Sequence, residues 1–480
     1  MFAEGSTHQN DDHSFGRDQL AAMLDEALAS PDEASEEVAR TQRELLAECG
    51  TADPVSRWNG AGDSSADGRR CDNWNVISTR WAGVRVTAVA IAAVVGLTTS
   101  CARRSVDSPA VDPALATTIA DVDAGRANTP LVIQPGVGSE ATVTFLVKST
   151  DEQTPRIVSD VTGWGESPDD SFFDLTVGEM TNIGSTGWHR LETTVAPRAR
   201  IEYLVVRGET DYRVDPHNPR QAWSRGGGPV SEFATPDWTP PPALSEPHVA
   251  RRGRTVASTI ETPALDGERR VTVYLPPGYR DGGDHPVAVF HSGWRVARDG
   301  EAPRVLDWLI AHRDIEPTVV IFLDSYLPGD SDNHEGPPMR TFLTREVPAW
   351  ARARFGISAR PEDWAVLAIS YGAKDAVDAA LAPAGTYGRV GLLIPGRRLT
   401  PPDLERLCRP DSHRLRVAIL AGRYDAANIA TAQMARDALT GAGHDVIWIE
   451  VPEGHNPTTW RDHLGDVFVS LFGSGEPSAS

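Results

Sequence analysis

The chain has 480 residues, a hydrophobic content of 40% and a formal net charge of −21. This length allows roughly two or three domains with hydrophobic cores, and the negative charge argues against nucleic acid as a partner. The cysteines form no C-x-x-C pair and no Cys/His spacing typical of a metal site; they are Cys49, Cys71, Cys101 and Cys408. We therefore expect no disulfide framework, no metal site and no cofactor.

The N-terminal part of the chain is acidic. Residues 1–75 carry 16 acidic and 6 basic residues, a net charge of −10. We interpret residues 1–79 as an acidic extension, or as the product of a mis-assigned translation start with Val76 as the alternative start. We assign no function to this segment.

A long apolar run follows at residues 84–99, VRVTAVAIAAVVGLTT. Arg80 and Arg85 flank its start, and small residues and Cys101 follow it, so residues 80–101 are predicted to be a secretory signal. A cysteine after small residues also resembles a bacterial lipoprotein signal, which makes Cys101 the predicted lipidation site. A short membrane anchor is the alternative, although a spanning helix needs about 20 apolar residues.

Either interpretation predicts a bacterial protein outside the cytoplasm, with three further segments before the C-terminal region. Residues 102–135 are small, polar and proline-containing, which is typical of a tether. Residues 136–235 contain short alternating runs such as ATVTFLVKS and RIEYLVVRGETDYRVDP, separated by turn residues. They predict a small β-sandwich. The proline-rich residues 236–249 are predicted to be a linker.

Apolar strands alternate with amphipathic helices over residues 250–473. The predicted strands are RRVTVYLP, HPVAVFHSG, TVVIFLDS, DWAVLAIS, RVGLLIP, RVAILAG and HDVIWIEVP. A final helix is predicted over residues 458–472. This alternation predicts an α/β domain with a mostly parallel sheet covered on both faces, with active residues at the carboxyl ends of its strands.

Ser370 lies in WAVLAISYGAKD, between a predicted strand and a predicted helix. A tight turn there would expose the hydroxyl and bring the N–H of Tyr371 beside it as an oxyanion donor. The usual nucleophile elbow reads G-x-S-x-G, and Ala368 replaces its first glycine. Because such pentapeptides occur by chance, a structural serine at a strand end is the alternative.

Two further residues complete a candidate catalytic triad. Asp425 follows the predicted strand RVAILAG, and His455 follows the next strand in a glycine-containing loop. The order Ser370, Asp425, His455 is that of the α/β-hydrolases. The alternatives are a helix cap for the aspartate and a solvent-facing loop position for the histidine; Asp445 and Asp462 are weaker candidates for the acid.

A second oxyanion donor is predicted in the turn HSGWR after an earlier strand. Gly293 allows the backbone to curl, so that the N–H of Trp294 points into the site. The side chains of Trp294, Arg295 and Tyr371 are predicted to line the pocket and bind the substrate.

The order of RRVTVYLPPGY, HPVAVFHSGW, AISYGA, AGRYD and PEGHNPTTW resembles the esterase D-type α/β-hydrolases, and most closely their enterochelin (ferric enterobactin) esterases. VTFLVKS, GWHRLETTVAPRARIEYLVV and DPHNPRQ resemble the immunoglobulin-like domain that precedes the hydrolase domain in those enzymes. The resemblance implies an α/β-hydrolase domain preceded by a small immunoglobulin-like β-sandwich, and a serine esterase acting on a catecholate siderophore. It assigns the nucleophile, base and acid to Ser370, His455 and Asp425, and the oxyanion hole to the backbone of Trp294 and Tyr371.

The expected partner is therefore a small-molecule ester, and the expected membrane contact is a lipid anchor or an N-terminal helix. Ala373 and Lys374 depart from the family's G-x-S-x-G-G elbow and are expected to influence which substrate is cut. The open alternatives are an acyltransferase, a carbohydrate esterase of the same fold, and a surface binding protein with a decayed site.

Overall fold

The structure is a computed structural model that describes residues 111–149, 154–166, 174, 176–208, 210–223, 228–325, 336–407 and 413–473. The predicted acidic extension, the signal or anchor segment and the lipidation site Cys101 lie outside the described residues. Among the described residues, no helix has the length and apolar character needed to cross a membrane.

Residues 111–234 form an N-terminal domain with two antiparallel sheets. The first sheet has the strand order β1-β2-β5-β4 and the second has β3-β6-β9-β8, with β7 paired to β6. The strands are β1 Leu131–Ile133, β2 Ala141–Lys148, β3 Arg156–Ser159, β4 Thr181–Asn182, β5 Trp188–Val195, β6 Arg200–Arg207, β7 Asp211–Arg213, β8 Gln221–Trp223 and β9 Pro229–Ala234.

Strand β6 is buried on both of its faces. Alternate side chains of a strand point to opposite faces, so Ile201 and Tyr203 enter the core between the sheets, where Tyr203 packs edge-on against Phe145 at 5.0 Å between ring centroids. Leu204 and Val206 enter a smaller cluster on the other face. That outer face, nearer the start of β6, also carries Arg200 and Glu202.

Part of the region predicted as a tether is folded, which corrects the boundary given for residues 102–135. Helix α1 (Pro113–Asp123) buries Ile119 and Val122 against Trp188. Apolar residues spaced three apart give a helix one buried face, and the small, polar composition of the segment masks this spacing. The predicted linker at 236–249 contains one short helix, α2 (Pro242–Ser245).

The C-terminal domain, residues 254–473, contains one eight-stranded sheet with the order β10-β11-β13-β12-β14-β15-β16-β17. Its first two strands, β10 and β11, are antiparallel, and the pairs from β13 to β17 are parallel. The predicted mostly parallel sheet is therefore confirmed. The strands are β10 Arg254–Thr262, β11 Gly267–Leu275, β12 Val287–Phe290, β13 Val319–Leu323, β14 Trp364–Ile369, β15 Arg389–Leu393, β16 Arg416–Gly422 and β17 Asp445–Val451.

Helices cover both faces of this sheet, as predicted. Along β12, Val287 and Val289 enter one core cluster, whereas Ala288 and Phe290 enter the other. The helices are α3 Trp294–Arg298, α4 Ala302–His312, α5 Pro337–Thr341, α6 Val347–Arg352, α7 Ala373–Ala380, α8 Pro401–Leu407, α9 Ile429–Gly441, α10 Pro457–Asp462 and α11 Leu464–Phe472.

The final helix differs from the prediction for residues 458–472. It divides into α10 and α11 at His463, whose backbone angles are φ −105° and ψ 10°. The imidazole of His463 lies 3.0 Å from Asp466 and 3.3 Å from Glu453. These polar contacts fix the imidazole at the break between the two helices.

Candidate active site

Ser370 lies at the turn between β14 and α7. Its φ is 48°, a left-handed conformation that costs a non-glycine residue on the order of 1–3 kcal/mol. Two backbone amides stabilise the turn: Ala373 and Gly396 both donate to the Ser370 carbonyl, the latter at 3.0 Å. The predicted strand–turn–helix setting of the serine is thus present.

Helix α7 packs closely against the sheet through small side chains. Ala373, Ala376, Val377 and Ala380 are buried at the spacing i, i+3, i+4, i+7. The side chains on this stripe pack against the core on one face of the sheet, so the helix that follows Ser370 is held firmly.

The missing first glycine of the elbow has a local explanation. A Cβ at Gly372 would lie 2.7 Å from Cδ2 of His291 and 3.2 Å from Cβ of Ala368. Glycine at 372 therefore leaves room for both the imidazole and the alanine methyl group. The fully buried Ala368 fits the elbow because its neighbour has no side chain.

The structure brings Ser370, His455 and Asp425 together in a hydrogen-bonded chain. Ser370 Oγ lies 2.7 Å from His455 Nε2, and His455 Nδ1 lies 2.6 Å from Asp425 Oδ2. The carboxylate accepts, so Nδ1 carries the proton and Nε2 is free to accept from the serine hydroxyl. The Asp425 side chain is 4% exposed and that of His455 is 12% exposed.

Sheet topology explains why these loops meet. Strands β14, β16 and β17 run parallel, and residues at the carboxyl ends of parallel strands share one edge of the sheet. We call residues 423–428 the acid loop and residues 452–456 the base loop. Tyr424 N donates to the carbonyl of Glu453 at 3.0 Å, which joins the two loops directly.

The weaker acid candidates occupy other positions. Asp445 opens β17, at the opposite end of that strand from the base loop. Asp462 lies in α10, where its carboxylate pairs with Arg200 at 2.5 Å and with Arg461 at 2.8 Å. Asp425 is the carboxylate that contacts His455.

Asn428 belongs to the site and was not predicted. Its Nδ2 donates to Asp425 Oδ1 at 2.7 Å, and its Oδ1 accepts from Arg397 N at 3.1 Å. The second bond fixes the amide orientation, so the NH₂ group faces the carboxylate. The sequence signal was an asparagine three residues after the aspartate, at the start of a helix.

The turn after β12 contains the predicted second oxyanion donor. Gly293 N donates to the Leu323 carbonyl at 2.8 Å, and Ser292 N donates to Ser325 Oγ at 3.2 Å. Trp294 begins α3, and the first amides of a helix have no acceptor within the helix. The oxyanion roles of Trp294 and Tyr371 stay predictions.

A buried polar chain lies beneath the elbow and was also missed. His291 Nδ1 lies 2.8 Å from Ser325 Oγ, and its Nε2 lies 3.4 Å from the Asp375 carboxylate. Arg398 donates to Asp375 at 3.0 Å and stacks 4.2 Å from the ring centroid of Tyr371. The chain connects the end of β12 to α7 and orders the aromatic ring next to Ser370.

Trp294 and Arg295, both predicted to bind substrate, each lie beside a charged side chain. Trp294 is 41% exposed, and the Arg298 guanidinium lies 4.8 Å from its ring centroid. Arg295 lies 3.4 Å from Asp299. Their contact with a substrate stays a prediction.

The two departures from the family elbow lie at the start of α7. The side chain of Ala373 is buried in the core. Lys374 pairs with Asp378 at 2.9 Å and lies 3.5 Å from Asp403 on α8. Both residues thus support the packing of α7. Among the described residues, no group of three or more His, Cys, Asp or Glu side chains could hold a metal ion.

The C-terminal domain resembles a known protein family. Residues 262–464 match the Esterase family model, described as "Putative esterase". The matched residues lie within the C-terminal domain. The predicted carboxylic ester hydrolase is confirmed at this level. A comparison with curated protein sequences gives no match.

Solved structures extend the likeness to both domains. The ferric enterobactin esterase of Salmonella typhimurium superposes with a TM-score of 0.55 at 19% identity, covering 71% of this chain and 96% of that one. The enterobactin esterase of Shigella flexneri, solved in the presence of enterobactin, gives a TM-score of 0.56 at 19% identity, covering 72% and 96%. This coverage exceeds the C-terminal domain alone. The esterase is therefore α/β-hydrolase-like and resembles enterochelin esterases in fold; the immunoglobulin-like class of its N-terminal domain stays a prediction.

Proposed function

We propose that the protein is a serine esterase that hydrolyses carboxylic esters with Ser370 as nucleophile, His455 as base and Asp425 as orienting acid. The observation that carries this proposal is the chain of two hydrogen bonds, 2.7 Å and 2.6 Å long, at the carboxyl ends of three parallel strands. An intact chain of this kind favours a working enzyme over a binding protein with a decayed site.

The proposed reaction has two acyl-transfer steps. His455 Nε2 takes the hydroxyl proton as Ser370 Oγ attacks the ester carbonyl. The proposed amides of Trp294 and Tyr371 bind the oxyanion, and the imidazolium returns the proton to the leaving alcohol as its C–O bond breaks. A water molecule, deprotonated by the same imidazole, then attacks the acyl-enzyme and releases the acid and the free serine.

Asp425 holds the imidazole in the tautomer that this reaction needs. Its carboxylate accepts from Nδ1 and stabilises the positive charge that forms on the ring. Asn428 keeps the second carboxylate oxygen occupied at 2.7 Å. The acid is thus fixed from two sides.

For the substrate we propose an ester of a catecholate siderophore. The shared two-domain fold with the enterobactin esterases supports this choice. The exposed Trp294 beside Arg298, and Tyr371 beside Arg398, offer aromatic and cationic surfaces to an anionic aromatic ligand. Each guanidinium also pairs with a carboxylate, Arg298 with Asp299 and Arg398 with Asp375.

The test uses Ser370→Ala on two substrates, a short-chain nitrophenyl ester and a catecholate trilactone. We expect wild-type protein to hydrolyse both and the variant to hydrolyse neither. Unchanged hydrolysis by the variant would refute the assignment of Ser370 as the nucleophile. Faster transfer to a sugar alcohol than to water would identify an acyltransferase, and cleavage restricted to polysaccharide esters would identify a carbohydrate esterase.

We also propose that the enzyme acts outside the cytoplasm and is anchored through a lipid on Cys101. The support is the basic, apolar and small-residue pattern of residues 80–101. Mass spectrometry of the mature N-terminus tests this directly. A lipid-modified cysteine at the N-terminus is expected, and an unprocessed N-terminus would contradict lipidation.

A further inference from the structure

The N-terminal domain reaches the acid loop beside the catalytic aspartate. The described residues of both domains belong to one compact unit. Tyr424, which precedes Asp425, packs against the N-terminal core between the two sheets. Its hydroxyl accepts a hydrogen bond from Ala196 N at 2.7 Å. The residue next to the proposed acid is therefore anchored in the other domain.

The same domain also reaches the base loop, through Asp160. This aspartate is 1% exposed. Its two carboxylate oxygens lie 3.0 and 2.9 Å from Asn456 Nδ2, and Asn456 directly follows His455. The carboxylate also accepts from Glu202 N at 2.8 Å and from Trp164 Nε1 at 2.9 Å. The position of Asp160 is thus fixed within its own domain.

Gly454, which precedes His455, also packs closely against Asp160. A Cβ at Gly454 would lie 2.0 Å from Asp160 Oδ1. Any other residue at 454 would therefore displace either the carboxylate or the loop. Both neighbours of His455 in the chain consequently contact one buried side chain of the N-terminal domain.

Strand β6 adds two contacts to α10, which follows the base loop. Thr458 Oγ1 donates to Glu202 Oε1 at 2.5 Å. Arg200, two residues earlier on the same face of the strand, pairs with Asp462 at 2.5 Å. The segment from 454 to 462 is therefore held by successive side chains of the N-terminal domain.

The pKa values of the Glu202 and Asp160 carboxyl groups are both raised. Burial, followed by repulsion from Asp160, raises the pKa of Glu202 to about 8. Burial also raises the pKa of Asp160 to about 6, against the lowering effect of its hydrogen bonds. A neutral Glu202 at pH 7 avoids placing two negative charges side by side at the interface.

We propose that Asp160 and Glu202 are positioning residues of the esterase, which hold His455 within hydrogen-bond distance of Ser370 through Asn456 and Thr458. The N-terminal domain is then part of the catalytic apparatus, because it fixes the base as well as the acid loop. This inference rests on the proposed function.

The test is Asp160→Ala in the full chain, with a small nitrophenyl ester and a fluorophosphonate as probes. Because a base displaced by about 1 Å costs on the order of 100-fold in rate, we expect kcat to fall by about 10- to 100-fold. KM for the small ester is expected to stay within about twofold. Fluorophosphonate labelling of Ser370 should slow by the same factor as kcat, and Asp160→Asn should recover part of the rate.

The matched control is Asp215→Asn. Asp215 is a buried aspartate of the same domain that binds Thr129 and accepts from Tyr203 at 2.9 Å. We expect this variant to lower the melting temperature without changing kcat or the labelling rate. A general loss of stability is thereby separated from positioning.

Three results would overturn the inference: normal kcat and labelling in folded Asp160→Ala, an equal loss in Asp215→Asn, or a change confined to KM. If Asp160→Ala does not fold, Asn456→Ala and Thr458→Val carry the same test from the other side of the contact. A wild-type protein that is never labelled at Ser370 would instead refute the proposed function.

Discussion

Ser370 and His455 meet at 2.7 Å, yet different parts of the molecule hold them. The elbow is stabilised within the C-terminal domain, by Gly372, Gly396 and the packing of α7. The base loop depends on side chains of the N-terminal domain, above all Asp160. Contacts within the C-terminal domain thus position Ser370, whereas contacts between the two domains position His455.

This difference predicts two kinds of mutational effect. Changes at the elbow should act through the C-terminal domain alone. Changes near the base loop should depend on the interface between the domains.

Asp425→Asn should reduce kcat by roughly 10³- to 10⁴-fold, because an amide at this position no longer selects the tautomer with a free Nε2. The measurement is nitrophenyl ester hydrolysis at saturating substrate. Asp445→Asn is the control, since Asp445 is exposed at the start of β17. Equal activities of the two variants would contradict the acid assignment.

Asn428→Ala should reduce kcat by about 10-fold with little change in KM. The carboxylate of Asp425 keeps its bond to His455 but loses the bond of 2.7 Å that fixes its other oxygen, and hydrogen bonds to charged groups contribute about 1.5–3 kcal/mol. Steady-state kinetics with a small ester measure this. A normal kcat would show that Asp425 is oriented without Asn428.

Gly372→Ala should destabilise the protein by about 1–3 kcal/mol, because the new methyl group would overlap the ring of His291. Chemical denaturation gives the change in the free energy of unfolding. Ala368→Gly is the matched change in the same contact and should leave activity intact. A fully stable and active Gly372→Ala would contradict the tight elbow described above.

Glu202→Gln should change how stability depends on pH. The folded-state pKa of about 8 lies above the ordinary value of 4.5, so the folded protein binds a proton more tightly and stability falls as the pH rises through that window. Glutamine does not titrate, so the free energy of unfolding of the variant should decrease less steeply with pH. The difference in slope corresponds to up to about one bound proton, or about a tenfold change in the unfolding constant per pH unit.

Denaturation of both proteins at several pH values between 5 and 8 tests this prediction. The other charged groups facing Glu202 are Asp160, Arg200 and Glu232, and both proteins contain them. The difference between the two curves therefore reports the titration of Glu202 together with its effect on Asp160. Parallel curves would mean that Glu202 does not titrate in this range.

The pattern of apolar residues predicted the strands whose side chains are buried along their whole length. The buried strands of the C-terminal sheet read as apolar runs, and the triad followed from strand ends and chain order. Strand β10 was missed because most of its side chains are exposed at the sheet edge. Helix α1 was missed because its buried face comprises only a few apolar residues.

The positioning residues could not be predicted from sequence for a different reason. Asp160 contacts Asn456 across 296 residues of chain, and no local pattern marks a buried carboxylate as a partner of a distant loop. Asn428 was closer to recognition, because it follows Asp425 by three residues. Its contact with the Asp425 carboxylate depends on the orientation of the Asn428 amide, which the bond from Arg397 N fixes and the sequence does not show.

The assignment of Ser370 as the nucleophile is tested by labelling the wild-type enzyme with a fluorophosphonate and identifying the modified residue by mass spectrometry, with Ser370→Ala as the control. We expect one adduct, on Ser370, that is absent from the variant. An adduct on another residue, or a folded and hydrolytically active enzyme with no adduct on Ser370, would contradict it.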